Sequence, residues 1–155
     1  MKKLNRKGFT LIELLAVIVI MGILMLVAIP AMQRYINNSK KKTYINTVKE
    51  IVNIAKNSLA DKDDSLTCAD GATAVKIISN DTNALESPAK SPYDSSKNIT
   101  VYVTFDSNYK ATGVIATDGT YKINSTIDGD YGSSTNFGKS ITITEPTKVC
   151  TVKAE

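Results

Sequence analysis

Gly8-Phe9-Thr10-Leu11-Ile12-Glu13-Leu14-Leu15 is the stretch on which the reading of this chain turns. It leads into an apolar run, because no charged residue occurs from Leu14 to Met32. That length is close to the roughly 20 residues a helix needs to cross a bilayer core. A single carboxylate, Glu13, stands at the edge of the run. Four cations, Lys2, Lys3, Arg6 and Lys7, crowd in front of it. An unpaired carboxylate at membrane depth costs a few kcal/mol, so Glu13 asks for a partner.

Two plain readings fit less well. A basic segment followed by an apolar one could be a secretory signal peptide that is removed after export. The apolar run is longer than such a segment, and no Ala-x-Ala-like site follows; the chain continues Ile29-Pro30-Ala31-Met32-Gln33-Arg34-Tyr35. A plain membrane anchor explains the length but leaves Glu13 unexplained. Under either reading the basic cluster stays cytoplasmic, and the bulk of the chain lies on the exported side.

Gly8-Phe9-Thr10-Leu11-Ile12-Glu13-Leu14-Leu15 resembles, without a departure, the class III signal of type IV pilins and pseudopilins. The resemblance covers about the first 35 residues closely; beyond Tyr35 it is one of layout. It implies that a prepilin peptidase cuts between Gly8 and Phe9 and then N-methylates Phe9. The apolar helix is retained, and the subunit is later extracted from the membrane into a helical filament. Cleavage leaves a cationic amine on Phe9, with an ordinary pKa of about 7.7–8 before methylation. The resemblance places Glu13 against the Phe9 amine of a neighbouring subunit, where a buried pair would set the register of assembly.

Composition fits an exported structural domain. Of the 19 basic residues four lie in residues 1–8, which leaves 15 against 15 acidic residues. The net charge of +4 therefore belongs to the leader, and the case for a nucleic-acid binder based on a basic pI falls away. The sequence contains two cysteines, Cys68 and Cys150. In an exported domain such a pair reads as one disulfide, an arrangement similar to the C-terminal disulfide loop of many type IV pilins. Two reduced thiols in a reducing habitat are the alternative.

Residues 1–8 are a leader peptide. Residues 9–61 read as one long helix, apolar all round over 9–32 as lipid or a filament core requires. Pro30 removes a backbone bond and predicts a bend. Ile45, Val48, Val52, Ala55 and Leu59 recur at helical spacing and form a stripe to be buried against a sheet. Lys40-Lys41-Lys42 precedes the stripe. It is either a solvated collar with snorkelling stems or a contact for acidic neighbours or DNA.

Residues 62–155 form the exported head. Within it, 62–97 is a connecting loop and 98–155 carries the sheet and the C-terminal disulfide region. Asp61-Lys62-Asp63-Asp64-Ser65 ends the helix. Ala72–Ser79 reads as a short helix or strand. Ile99–Phe105, Ala111–Thr117 and Tyr121–Ile127 read as strands, with Asp118-Gly119 as a two-residue hairpin. Ser140–Thr144 is a fourth strand, and Val149–Val152 pairs at an edge. The fold class is α+β: a long N-terminal helix packed on a three- to four-stranded antiparallel sheet, which is the type IV pilin fold. The Tyr residues are expected on an exposed strand face.

Catalysis has little to stand on in this composition. Without His there is no His-based triad and no imidazole ligand. No Gly-rich phosphate loop precedes a helix, so an assembly ATPase must be another protein. Asp128-Gly129-Asp130-Tyr131-Gly132 opens like a calcium loop, but Lys139 stands where the bidentate Glu would be. Asp128 and Asp130 remain weak metal candidates beside a plain glycine turn, and no cofactor is expected. The resemblance implies a prepilin that is not an enzyme. It polymerises with copies of itself, waits in the cytoplasmic membrane N-terminus-in, and ends in a surface pilus. Its further partners are the platform protein, minor pilins and, in some fibres, DNA. Adhesion, motility, aggregation and DNA uptake are what such fibres do. The alternative is a pseudopilin of a type II secretion or competence system.

Overall fold

The computed structural model describes residues 9–61, 66–81, 84–85 and 89–153. The chain forms two compact units, Met1–Ser39 and Lys40–Glu155. Helix α1 (Leu11–Ala60) contributes to both.

In the first unit every described residue is exposed. Leu26 and Val27 show 76% and 75% of their surface. An 18-residue window here has mean hydropathy 3.0, and none of it is buried. A helix with apolar side chains on all sides, long and apolar enough to cross a membrane, is consistent with a membrane anchor. The backbone stays helical through Pro30.

In the second unit the same helix becomes one-sided. Tyr44, Val48, Ile51, Val52, Ala55 and Leu59 are buried, on the stripe that periodicity marks. Ile45 is only half-buried, at the stripe's margin. Tyr44 takes the central place beside it, its hydroxyl donating to the carbonyl of Tyr121 at 3.2 Å.

The sheet has seven strands: β1 (Leu66–Cys68), β2 (Ala74–Ile78), β3 (Thr100–Phe105), β4 (Ala111–Thr117), β5 (Lys122–Thr126), β6 (Phe137–Gly138) and β7 (Val149–Val152). Their order is β1-β7-β2-β3-β4-β5-β6. Strands β2 to β5 form an antiparallel meander. Only β2 and β7, among the described strands, pair in parallel. The helix-facing residues follow the register. Ile77, Val101, Ala116, Ile123 and Phe137 lie opposite one another across five strands, as do Val75, Val103 and Val114. All belong to the core that includes the helix stripe. This is an α+β fold of the kind the resemblance implies.

Four expectations need correction. The sheet is wider than three or four strands, because β1 and β2 arise from residues 62–97 and β6 adds a short edge. Val149–Val152 does not close an edge; β7 lies between β1 and β2. Ser140–Thr144 is not a strand. Residues 139–148 instead cross the sheet face away from the helix, linking β6 to β7. Asn124 Nδ2 donates to the Thr142 carbonyl at 3.1 Å, and the Tyr102 hydroxyl donates to Glu145 at 2.9 Å. The Ser-Ile-Thr-Ile-Thr alternation records one side lying on a sheet rather than membership of a ladder. The turn after β4 is also longer than Asp118-Gly119, since Thr117 pairs with Lys122. The four residues between them turn through Gly119 at φ 84°, a left-handed conformation that glycine adopts without strain.

Asp118 is the anchor of that turn. It is buried, accepts from the Thr120 and Tyr121 amides at 2.8 and 2.7 Å, and receives the Ser91 hydroxyl at 2.6 Å. A buried carboxylate needs such a full set of donors. It fastens the loop before β3 to the β4–β5 turn. Above it Tyr93 stacks on Tyr121 with centroids 3.7 Å apart, and Tyr121 on Phe137 at 5.6 Å. The tyrosines therefore do not simply coat the surface: Tyr44, Tyr102 and Tyr131 are buried, while Tyr35 and Tyr109 are exposed.

Two predictions follow from this packing. The Cys68–Cys150 disulfide joins residues 82 positions apart. In the chain-entropy account a loop of that length contributes about 4 kcal/mol. The Cys68→Ala/Cys150→Ala chain should lose about that much in urea unfolding of detergent-solubilised protein, whereas an unchanged midpoint would assign the bridge no stabilising role. Burial, with the charge of Tyr121 and Asp118, pushes the Tyr93 hydroxyl up to about 12. Burial and the Glu145 carboxylate push Tyr102 to about 12, and burial raises Tyr44 further still. The folded state then holds protons that the unfolded state releases near pH 10. The stability these hydroxyls contribute is complete below pH 10 and is lost as pH rises from 10 to 12. Urea midpoints measured beside the tyrosinate absorbance should fall over that window. A flat profile would contradict the burial.

Candidate assembly site

Helix α1 begins at Leu11, so Thr10 is its N-cap. The first backbone N–H groups of a helix have no partner within it, and in lipid they find no water. Thr10 and Glu13 solve this together. The Glu13 amide donates to Thr10 Oγ1 at 3.3 Å. Glu13 Oε2 in turn accepts the Thr10 amide at 2.8 Å and the Thr10 hydroxyl at 2.8 Å. This is a reciprocal capping box, and the positive end of the helix dipole favours a carboxylate there.

Thr10-Leu11-Ile12-Glu13 is the Thr-x-x-Glu pattern that announces such a box. Reading Glu13 against Phe9 alone passes over Thr10, although the spacing was sufficient to find it. Glu13 thus has a partner in its own chain before any neighbour arrives. The arrangement uses Oε2 twice, and among the described residues Oε1 accepts no hydrogen bond. Phe9 is 90% exposed. It borders a shallow apolar recess with Glu13, Leu14 and Val17 on the first turns of the helix. Among the described residues one carboxylate oxygen is therefore held in place while the other accepts nothing, beside an exposed ring at the start of an apolar rod. Gly8 and the rest of the leader lie outside the described residues.

The structure brings Cys68 and Cys150 together as a disulfide, at facing positions of β1 and β7. Cys150 is fully buried. The bridge ties the last strand to the first. The paired alternative is the one realised.

Asp128 and Asp130 are both exposed. Asp130 Oδ1 accepts the Gly132 amide at 2.8 Å, which closes a local turn. A Cβ on Gly129 would lie 2.2 Å from Ser125 Oγ, so the glycine serves close packing. Asp128 lines a cleft of about 270 Å³ shared with Lys49 and Lys56, whose ammonium groups would repel a cation. Among the described residues no group of three or more His, Cys, Asp or Glu side chains could hold a metal.

The lysine run is not uniformly a solvated collar. Lys41 donates to the Gly132 carbonyl and lies 5.2 Å from the Phe137 ring centroid. Its neighbours Lys40 and Lys42 are half-buried and exposed.

Among known families, the one described as the prokaryotic N-terminal methylation motif matches residues 3–29. No solved structure matches the chain. The chain thus carries the class III signal peptide of type IV pilins, joined to an apolar helix. The motif supports a type IV pilin-like or pseudopilin-like protein, points to a structural role and implies processing by a prepilin peptidase.

Thr10→Ala should weaken the helix start by about 1 kcal/mol. In detergent micelles, amide exchange at residues 11–14 is expected to speed up about five-fold, with exchange in the middle of the apolar helix unchanged. Equal exchange in both proteins would show that the box does not hold the first turn.

Proposed function

We propose that the protein is the precursor of a type IV pilus subunit. The peptidase cuts between Gly8 and Phe9 and methylates Phe9. The processed subunit spans the cytoplasmic membrane with its N-terminus inside. It then enters a surface filament through residues 9–32, with residues 62–155 displayed outside as its head. An assembly ATPase and its platform protein supply the work, and minor pilins help to initiate the fibre. Adhesion, motility, aggregation and DNA uptake are the uses that fit such a fibre.

The observation that carries this reading is the half-occupied Glu13 carboxylate. Moving an apolar helix from lipid into a bundle of similar helices changes the polarity of its surroundings little, so apolar contact leaves register to shape packing alone. A charge in that low-dielectric bundle does select one, because leaving it unpaired is costly. Glu13 Oε2 is already bound to Thr10. Oε1 then accepts the methylated Phe9 amine of a neighbouring subunit, and each new subunit is seated one pair at a time. A carboxylate serving a purely monomeric anchor would need no such open oxygen.

The exported head fits a surface fibre. It is closed by a disulfide, and its loops before β3 and after β4 are pinned by the buried Asp118. The pseudopilin reading shares the helix and differs in fibre length. Asp128 shares its cleft with Lys49 and Lys56, which gives no support to the calcium site that would favour it.

Intact mass of protein sheared from cells, with electron microscopy of the same fraction, tests the proposal. A species starting at Phe9 with one extra methyl, in long fibres, is expected. Glu13→Val should give processed protein without fibres. Processed protein that stays with the cell would favour the pseudopilin. Uncleaved protein, or abundant fibres from Glu13→Val, would contradict the proposal.

A further inference from the structure

Lys40, Lys41 and Lys42 stand on the exported side of the apolar run in the orientation proposed above. Positive charge there opposes the rule that sets topology, so it calls for a compensating function. Between Glu13 and Glu50 the chain carries five cations, Arg34, Lys40, Lys41, Lys42 and Lys49, and no acidic residue. Lys41 is engaged by the head through the Gly132 carbonyl and the Phe137 ring. Lys40 and Lys42 flank it, and among the described residues neither forms an ion pair. The nearby Asp130 carboxylate is turned to the Gly132 amide.

Lys40 follows Met32 by eight positions of the same helix, a rise of about 12 Å. Side chains on a helix lean toward its N-terminus, which here is the membrane side. A lysine stem follows that lean and carries its ammonium back toward the bilayer. Roughly 5–8 Å of headgroup lie beyond the hydrocarbon core. The two free ammonium groups therefore come within about one Debye length, ~8 Å, of the phosphate layer.

We propose that Lys40 and Lys42 bind anionic phospholipid headgroups of the outer leaflet and hold the head on the bilayer until the subunit is extracted. This rests on the membrane-spanning reading above. Lys41 ties this turn of the helix to the head through the Gly132 carbonyl and the Phe137 ring, while Lys40 and Lys42 extend from either side of it. The anionic lipid content of the membrane then tunes how readily the head is released.

The processed full chain would be reconstituted in nanodiscs of phosphatidylglycerol or of phosphatidylcholine, each with a trace of gadolinium-chelating lipid. Broadening of the amide signals of residues 128–136, beside the Lys41 contact, reads docking. Exchange protection of residues 14–32 reads insertion. Strong broadening is expected in phosphatidylglycerol alone, and it should vanish at high salt. Each lysine should contribute about five-fold to the docked-to-free ratio, so Lys40→Gln/Lys42→Gln should lower it about twenty-five-fold. Lys40→Arg/Lys42→Arg should restore it, and intact signals from β2 to β5 confirm folding. Equal broadening in the two lipids, or none lost in the glutamine variant, overturns the proposal while leaving the membrane reading standing. A glutamine variant that loses fibres yet docks equally in both lipids also overturns it, and assigns the lysines to an acidic face of a neighbouring subunit. Unprotected residues 14–32 would overturn the membrane reading and the proposal together.

Discussion

One carboxylate at the mouth of an apolar helix sets the terms for this protein. Glu13 is tolerable there because Thr10 donates to it twice and receives its amide in return. The exchange satisfies backbone groups that lipid would leave bare and fixes where the helix begins. Among the described residues it also leaves one oxygen without a donor. The feature that would otherwise be a defect in a membrane segment becomes the single polar handle on a rod that is apolar on every side.

The same helix serves two media, and its composition changes where the medium does. Up to Ser39 the described residues are all exposed, so their partners come from outside the chain. From Tyr44 onward one stripe is buried against the sheet, and the opposite face stays polar. The head is closed from both ends of its sequence. Strand β7 enters between β1 and β2, and the disulfide locks it to β1. Residues 139–148 cover the sheet face that the helix does not reach, with Tyr102 buried beneath them. A domain of this size gains from such a staple because its core is small.

Long, strongly periodic segments were legible from the residues. The helix, its buried stripe and strands β3 to β5 announce themselves, and Ala111–Thr117 has the observed bounds. The Thr-x-x-Glu box was legible too, though it is hidden inside a stretch read for its cleavage signal. Short pieces were not legible. Strands β1 and β6 have three and two residues, too few for a period. The place of β7 depends on non-local pairing, which alternation cannot encode. Ser140–Thr144 alternates like a strand because one side rests on the sheet, and a pattern of burial does not say what does the burying. Asp118 reads as a turn residue, while its weight in the fold comes from Ser91, far away in sequence and 2.6 Å away in space. Tyr102, expected on an exposed strand face, is buried because its phenol finds an acceptor in Glu145, on the distant segment that crosses the sheet.

A helical reconstruction of the sheared fibre at side-chain resolution tests the central claim most directly. Glu13 Oε2 should remain on its own Thr10, with Oε1 about 3 Å from the Phe9 amine of a neighbouring subunit. A fibre in which every Phe9 amine lies more than about 6 Å from any neighbour's Glu13 would contradict the claim that this carboxylate sets the register of assembly.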